Sequence, residues 1–230
     1  MTGQQSTRDL IALMLEAGAL QFGSFTLKSG RISPYFFNSA RFRTGEQLER
    51  LGEHYARAIA AQAPGATIVF GPAYKGIPLC VAAAMALGRL VGRPVGYLFD
   101  RKEEKTHGDQ GRFVGESPAP GDRLVLVDDV ITDGGTKLDM ARLLRGAFAA
   151  PIDLLVIAFN RMEQGPAGQD AVAGFTRETG IPVTALLTLA DLEAELAAAD
   201  AGKLAGIARE FLPKLREYRG RYGLPAAADR

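Results

Sequence analysis

Leu124-Val125-Leu126-Val127-Asp128-Asp129-Val130-Ile131-Thr132-Asp133-Gly134-Gly135-Thr136 is the stretch that decides the fold. Its opening apolar run reads as a strand covered on both faces, because a half-exposed strand alternates apolar and polar residues. Two acids follow, then a Gly/Thr turn, then a helix-like stretch over 135–149. Ligands of open α/β sheets sit at the carboxyl ends of the strands. A Gly/Thr turn opening a helix offers free backbone N–H groups and the positive dipole end, which suit a phosphate monoester. Thr132 and Thr136 add hydroxyl donors. The stretch lacks the Lys and Ser/Thr that a P-loop needs after its second glycine, and GxGxxG is absent too. Asp128 and Asp129 would repel a phosphate if they faced it. They suit sugar hydroxyls, which donate, or a developing cation. The plainer reading makes Asp133 a helix cap and Asp128-Asp129 a solvated strand end.

Outward from this stretch the same rhythm recurs. Short apolar runs lie at 68–70, 95–99, 152–159 and 182–187, with helix-like segments from after Gly71-Pro72 to Leu90 and at 167–179 between them. Strand and helix alternating at this spacing mean βαβ units and a parallel sheet, so the expected class is α/β with a central, mostly parallel sheet flanked by helices. Upstream, the first ~20 residues read as an amphipathic helix, residues 22–38 look extended, and Thr44 with Gln47 makes a capping box for a helix running to about Ala63. The tail over 203–222 reads as a further helix. The irregular stretch is 100–121, rich in charge and glycine and poor in apolar residues. Loops of that length are usually functional or disordered, and its glycines make it a candidate lid.

Composition narrows the chemistry. At 230 residues the chain needs no metal or disulfide staple for its core. Twenty-seven basic against 26 acidic residues leave a formal charge of +1, which gives no global footprint for nucleic acid. A single cysteine, Cys80, excludes an internal disulfide framework, and two histidines, His54 and His107, exclude a multi-His metal site from one chain. The longest apolar stretch, 77–87, is about half of what a spanning helix needs, so no membrane association is expected. The N-terminal residues carry no signal pattern. The expected setting is a reducing compartment, the cytoplasm.

The acid-turn string resembles the phosphoribosyl pyrophosphate (PRPP) motif of the type I phosphoribosyltransferases. Three further segments point to the orotate branch of that family. Thr26-Leu27-Lys28-Ser29-Gly30-Arg31 with Ser33-Pro34-Tyr35-Phe36-Phe37-Asn38 resembles its N-terminal signature. Phe70-Gly71-Pro72-Ala73-Tyr74-Lys75-Gly76-Ile77-Pro78 is similar to its pyrophosphate loop. Arg101-Lys102-Glu103-Glu104-Lys105-Thr106-His107-Gly108 is similar to its catalytic lid. The order and spacing agree from about Leu10 to Tyr222. One departure is Thr132-Asp133-Gly134-Gly135-Thr136, where many members read Thr-Ala-Gly-Thr-Ala. It moves the second hydroxyl by one residue and leaves open which one contacts the 5′-phosphate; Asp133 is expected to point away as a cap.

The resemblance implies a single phosphoribosyltransferase domain over 1–230, with an N-terminal hood at about 1–40, a PRPP-binding core at about 65–190 and a long flexible lid loop at 100–116. It implies transfer of the phosphoribosyl group from PRPP to orotate, with Mg²⁺ carried mainly on PRPP, in UMP biosynthesis. It places Lys28, Tyr74, Lys75, Arg101, Lys102, Lys105, His107 and the run Asp128, Asp129, Val130, Ile131, Thr132, Asp133, Gly134, Gly135, Thr136 on PRPP. Phe36, Phe37, Thr132 and Arg161 fall to orotate, and the catalytic set is Lys105, His107, Asp128 and Asp129. It further implies a non-proline cis peptide in the pyrophosphate loop, and a homodimer in which the lid closes over the partner's site.

Plainer readings stand beside these. Lys75 reads as a surface lysine, and Lys28 as an exposed strand lysine. Phe36 and Phe37 read by pattern as core, and Arg161 as a surface arginine pairing with Glu163. The lid charges read as a solvated run. His54 reads as a solvated helix residue without a role, and Cys80 as core rather than nucleophile. Two rival functions remain: a phosphoribosyltransferase for another base, which would give Arg161 nothing to pair with, and a PRPP-sensing regulator without catalysis.

Overall fold

In the computed structural model the apolar run becomes the middle of a sheet. The structure describes residues 3–105, 111–131, 134–165 and 168–224, and of Gly3, Gln4, Glu104 and Lys105 the backbone alone. Strand β6 (Leu124–Val130) is buried at every position but its last. It pairs in parallel with β3 (Ile68–Phe70) on one side and β7 (Ile152–Asn160) on the other. With β4 (Gly96–Lys105), β5 (Gly111–Gly115) and β8 (Val183–Thr188) the sheet runs β5-β4-β3-β6-β7-β8. All neighbours are parallel except β5, which lies antiparallel on β4.

Strand side chains alternate between faces, and here both faces are apolar because both are covered. Val125 and Val127 belong to one core with α1 (Gly3–Glu16), α2 (Gly45–Gln62) and α3 (Gly76–Val91). Leu124 and Leu126 belong to a second core with α4 (Gly135–Ala147) and α5 (Ala171–Thr179). The expected capping box at Thr44 and Gln47 is formed. Where α2 crosses α3, a Cβ on Gly52 would meet the Ala82 carbonyl oxygen at 2.6 Å, so only glycine lets the helices approach this closely.

A hairpin of β1 (Leu20–Thr26) and β2 (Ile32–Phe37), separate from the main sheet, stands at the place of the expected hood. It is held against the long C-terminal helix α7 (Gly202–Tyr222) by ring contacts of Phe22 with Phe211 and of Tyr35 with Tyr218. No helix of the described residues is long and apolar enough to cross a membrane.

The structure departs from the pattern reading in four places. The stretch read as irregular over 100–121 is largely a strand pair in its described part, with Asp100 opposite Phe113 and Lys105 opposite Gly111. Pairing satisfies its backbone hydrogen bonds, and Phe113 is its one ring packed on the second core, too little for periodicity to reveal. Lys28 sits in the turn between β1 and β2 rather than in a strand, because Gly30 takes a positive φ and its N–H closes back onto the Leu27 carbonyl. The helix expected directly after Gly71-Pro72 begins only at Gly76, after the loop. Helix α6 (Leu189–Ala197) was not foreseen, although Thr188 and Asp191 form its capping box.

Candidate active site

The two acids stand at the carboxyl end of β6 and neither is free. Asp129 Oδ2 accepts from Ser39 Oγ at 2.9 Å and from Lys75 Nζ at 3.0 Å, and Oδ1 accepts from the Val130 N–H. Asp128 Oδ1 accepts the Asp129 N–H at 2.8 Å, and its Oδ2 pairs with Lys137 of α4. Tyr55 of α2 donates its hydroxyl to the Asp128 carbonyl at 2.8 Å. Both acids are buried, so the reading of a solvated strand end fails. Burial pushes the Asp128 carboxyl above its ordinary range; Lys137 pulls it down and Asp129 pushes it up. Burial and the two acids likewise raise Tyr55 well above a usual phenol.

Lys75 reaches Asp129 because of its loop. A Cβ on Gly71 would lie 2.1 Å from the Gly76 carbonyl oxygen, and one on Gly76 would lie 2.5 Å from Pro72 Cδ. Two glycines therefore let the loop fold flat on itself between β3 and α3. The Ala73 N–H donates to buried Asp100 at 2.7 Å, tying the loop to β4. The Ala73–Tyr74 peptide is cis, as expected, and Tyr74 is exposed. Lys75 stands at the N-cap of α3 with no side-chain cap bond and is half-exposed, paired to the acid rather than adrift on the surface.

On the other side of the acids, Gly134 takes the left-handed conformation at φ 85° and opens α4. Gly135 and Thr136 are exposed at that helix end. Ile131 is buried in the second core and Val130 packs against the first, so only their backbone can face a ligand. Thr132 and Asp133 lie outside the described residues, as do Thr106 and His107. Of the lid cations, Arg101 donates to the Gly111 carbonyl at 3.0 Å across the arm and Lys102 is exposed. Lys105 ends β4, with its side chain outside the described part.

Beside β6, the end of β7 carries Arg161. Its Nε donates to Glu163 at 2.8 Å and its Nη2 to Ser33 Oγ at 3.1 Å. The guanidinium lies 4.3 Å from the centre of the Tyr35 ring. Burial lowers its pKa, but Tyr35 and Glu163 outweigh burial and hold it above its ordinary value. The expected Glu163 pair thus exists, yet at a buried position rather than on the surface. Glu163 also accepts from the Tyr35 hydroxyl at 3.2 Å and pairs with Arg31 at 3.5 Å. Phe37 is buried against Phe159, while Phe36 is exposed and stacks on Phe25. Lys28 is exposed in its turn.

Residues that the pattern missed are Ser39, Tyr55, Asp100 and Lys137, all held by distant contacts. Lys137 alone left a trace, a cation in the first turn of a helix. His54 is partly buried beside Ser6 Oγ at 3.5 Å, not solvated, and burial lowers its pKa to about 4. Cys80 is buried core, its thiol pushed up to about 12. Among the described residues no group of three or more His, Cys, Asp or Glu side chains converges as a metal cage.

Residues 41–186 match the phosphoribosyl transferase domain. The chain is 43% identical over 216 residues to the orotate phosphoribosyltransferase of Nitrosococcus oceani, covering 94% of each. It is 44% identical over 220 residues to that of Methylococcus capsulatus, covering 96% of this chain and 99% of the other. Its fold is similar to the crystal structure of the Francisella tularensis orotate phosphoribosyltransferase, with a TM-score of 0.77 and 34% identity over 94% of this chain and 99% of that one.

Proposed function

The chain belongs to the orotate phosphoribosyltransferases, type I phosphoribosyltransferases that act on orotate and PRPP in pyrimidine biosynthesis, and from that premise we propose how its own residues carry the reaction. A nitrogen of orotate attacks the anomeric carbon of PRPP, pyrophosphate leaves, and orotidine 5′-monophosphate forms with inverted configuration. The transition state has oxocarbenium character, as other glycosyl transfers do. Positioning and electrostatics then supply most of the barrier reduction.

Asp128 and Asp129 accept the ribose hydroxyls and favour positive charge on the ring. The observation that carries this is the buried acid pair at the end of β6, beside the open N-terminus of α4. The 132–136 turn holds the 5′-phosphate. Lys75, Tyr74, Arg101, Lys102 and Lys105 meet the diphosphate, and His107 hydrogen-bonds the leaving group. Arg161 takes the orotate carboxylate through the part of its fork that Glu163 and Ser33 leave available. The backbone at Phe36 and Phe37, with Thr132, frames the ring, and Lys28 reaches PRPP. The exposed ring of Phe36 and the buried ring of Phe37 support this division, since one anchors the strand and the other lies open.

Mg²⁺ arrives on the diphosphate, where it neutralises charge; both site acids already hold lysines, and the ion prefers phosphate oxygens and water to such a set. The lid works across a homodimer. Exposed Met85 and Leu90 on α3 and Tyr97 on β4 supply apolar surface for a second copy to cover.

The test is loss of orotate absorbance with orotate, PRPP and Mg²⁺, run beside Lys105→Ala. Turnover is expected to need all three components. Removing one charge-assisted contact made chiefly in the transition state should cost about 3–4 kcal/mol, lowering kcat by roughly 10²–10³-fold. A rise in KM alone would remove Lys105 from the catalytic set.

A further inference from the structure

Lys137 stands where the helix rules disfavour it. It follows Gly134, Gly135 and Thr136 in the first turn of α4, the end at which the helix dipole already carries positive charge. The helix end therefore repels it. Its ammonium is nevertheless laid on Asp128 Oδ2, and its side chain is only 15% exposed. A local rule broken at a buried position points to a site rather than to helix stability.

The surroundings of Asp128 show what the lysine offsets. Asp129 follows it in β6. Tyr55 from α2 approaches its carbonyl. Lys75 acts one residue away, on Asp129. Among the described residues, Lys137 brings the positive charge that touches Asp128 itself. A buried carboxylate beside a second carboxylate resists ionisation, and contact with an ammonium opposes that. A carboxylate has about four lone-pair sites. The Asp129 N–H and Lys137 use one on each oxygen, so acceptors remain for a hydroxyl.

We propose that Lys137 is a positioning residue for the reaction: it keeps Asp128 charged and aimed in the ligand-free protein, so that the acid pair is ready to accept the ribose hydroxyls of PRPP at neutral and mildly acidic pH. This rests on the assignment of Asp128 and Asp129 to the ribose. Lys75, 51% exposed, is the counter-charge that can swing to the diphosphate, while Lys137 stays in place.

The experiment compares kcat/KM for PRPP from about pH 5.5 to 9 in wild type, Lys137→Met and Lys137→Arg. Contact with an opposite charge holds a carboxylate down by about 1–3 units. The Met variant should therefore shift the acid limb upward, losing about tenfold near pH 6 and no more than about threefold at the alkaline plateau. The Arg variant should restore the limb. Carbon-13 NMR of the Asp128 carboxyl in the ligand-free protein should show the same upward shift in Lys137→Met, or in Lys137→Gln if the Met variant does not fold. An unchanged Asp128 titration, with activity unaltered or lost evenly at every pH, overturns the proposal and leaves Lys137 a packing residue. Asp128→Asn separates the two claims. Full turnover in that variant would sink the ribose assignment, while the Asp128 titration would still decide what Lys137 does.

Discussion

The carboxyl ends of β6 and β7 lie side by side, Val130 opposite Phe159, and carry opposite charge. The β6 end presents two buried acids, whose counter-charges come from other elements, Lys75 at the start of α3 and Lys137 in the first turn of α4. The β7 end presents one arginine, whose counter-charge, Glu163, lies two residues on in the same loop, with Ser33 and Tyr35 closing in from the hood. Glu163 is 13% exposed, against 51% for Lys75. The acid end thus has one fixed and one replaceable counter-ion. The arginine end is clamped through Nε and Nη2 by Glu163 and Ser33. A site that must take in a polyanion and let pyrophosphate go needs a cation that can change partners. A site that only reads a flat carboxylate needs a rigid fork.

That contrast can be broken by substitution. Asp129→Asn removes the charge that Lys75 and Ser39 both hold, and should lower kcat by about 10³-fold, roughly 4 kcal/mol. Steady-state kinetics with both substrates varied would check it, and a change confined to the KM of PRPP would reduce the acid to a binding group. Arg161→Met should raise the KM of orotate by about a hundredfold, roughly 2–3 kcal/mol for a lost charge-assisted pair, and leave the KM of PRPP within about threefold. Equal increases in both would show that the two strand ends act as one site.

His54 supplies a control outside both ends. Its folded pKa of about 4 lies below the ordinary 6.5. The unfolded chain therefore takes up the proton first as pH falls, and stability drains away between about 6.5 and about 4. After discounting for its partial exposure, the loss is about 1–2 kcal/mol. Urea unfolding across that window should show His54→Gln losing less than wild type, with turnover at neutral pH unchanged. Identical pH slopes in the two proteins would remove His54 as the cause.

Legibility differed by segment. The apolar run at 124–127 and its acids were readable because a strand covered on both faces has no polar alternation to obscure it. The Thr44 box was readable because capping is local. The strand pair of 100–105 with 111–115 was not, since its strands are held by each other's backbone. Ile131 shows a subtler limit: the PRPP resemblance takes in the whole string, but this side chain belongs to the core and leaves only its main chain to the site.

By itself the amino-acid sequence determined the α/β class, the acid-turn motif, the two-glycine loop and the branch of the family, because each is written in contiguous residues. The partners of the acids were decided only by tertiary structure. Ser39, Tyr55, Lys75 and Lys137 come from four separate segments, and nothing within any one of them requires the others. Their meeting follows from burial: once the sheet closes over Asp128 and Asp129, uncompensated charge there is too costly to keep, and the packed helices must supply its counter-charge.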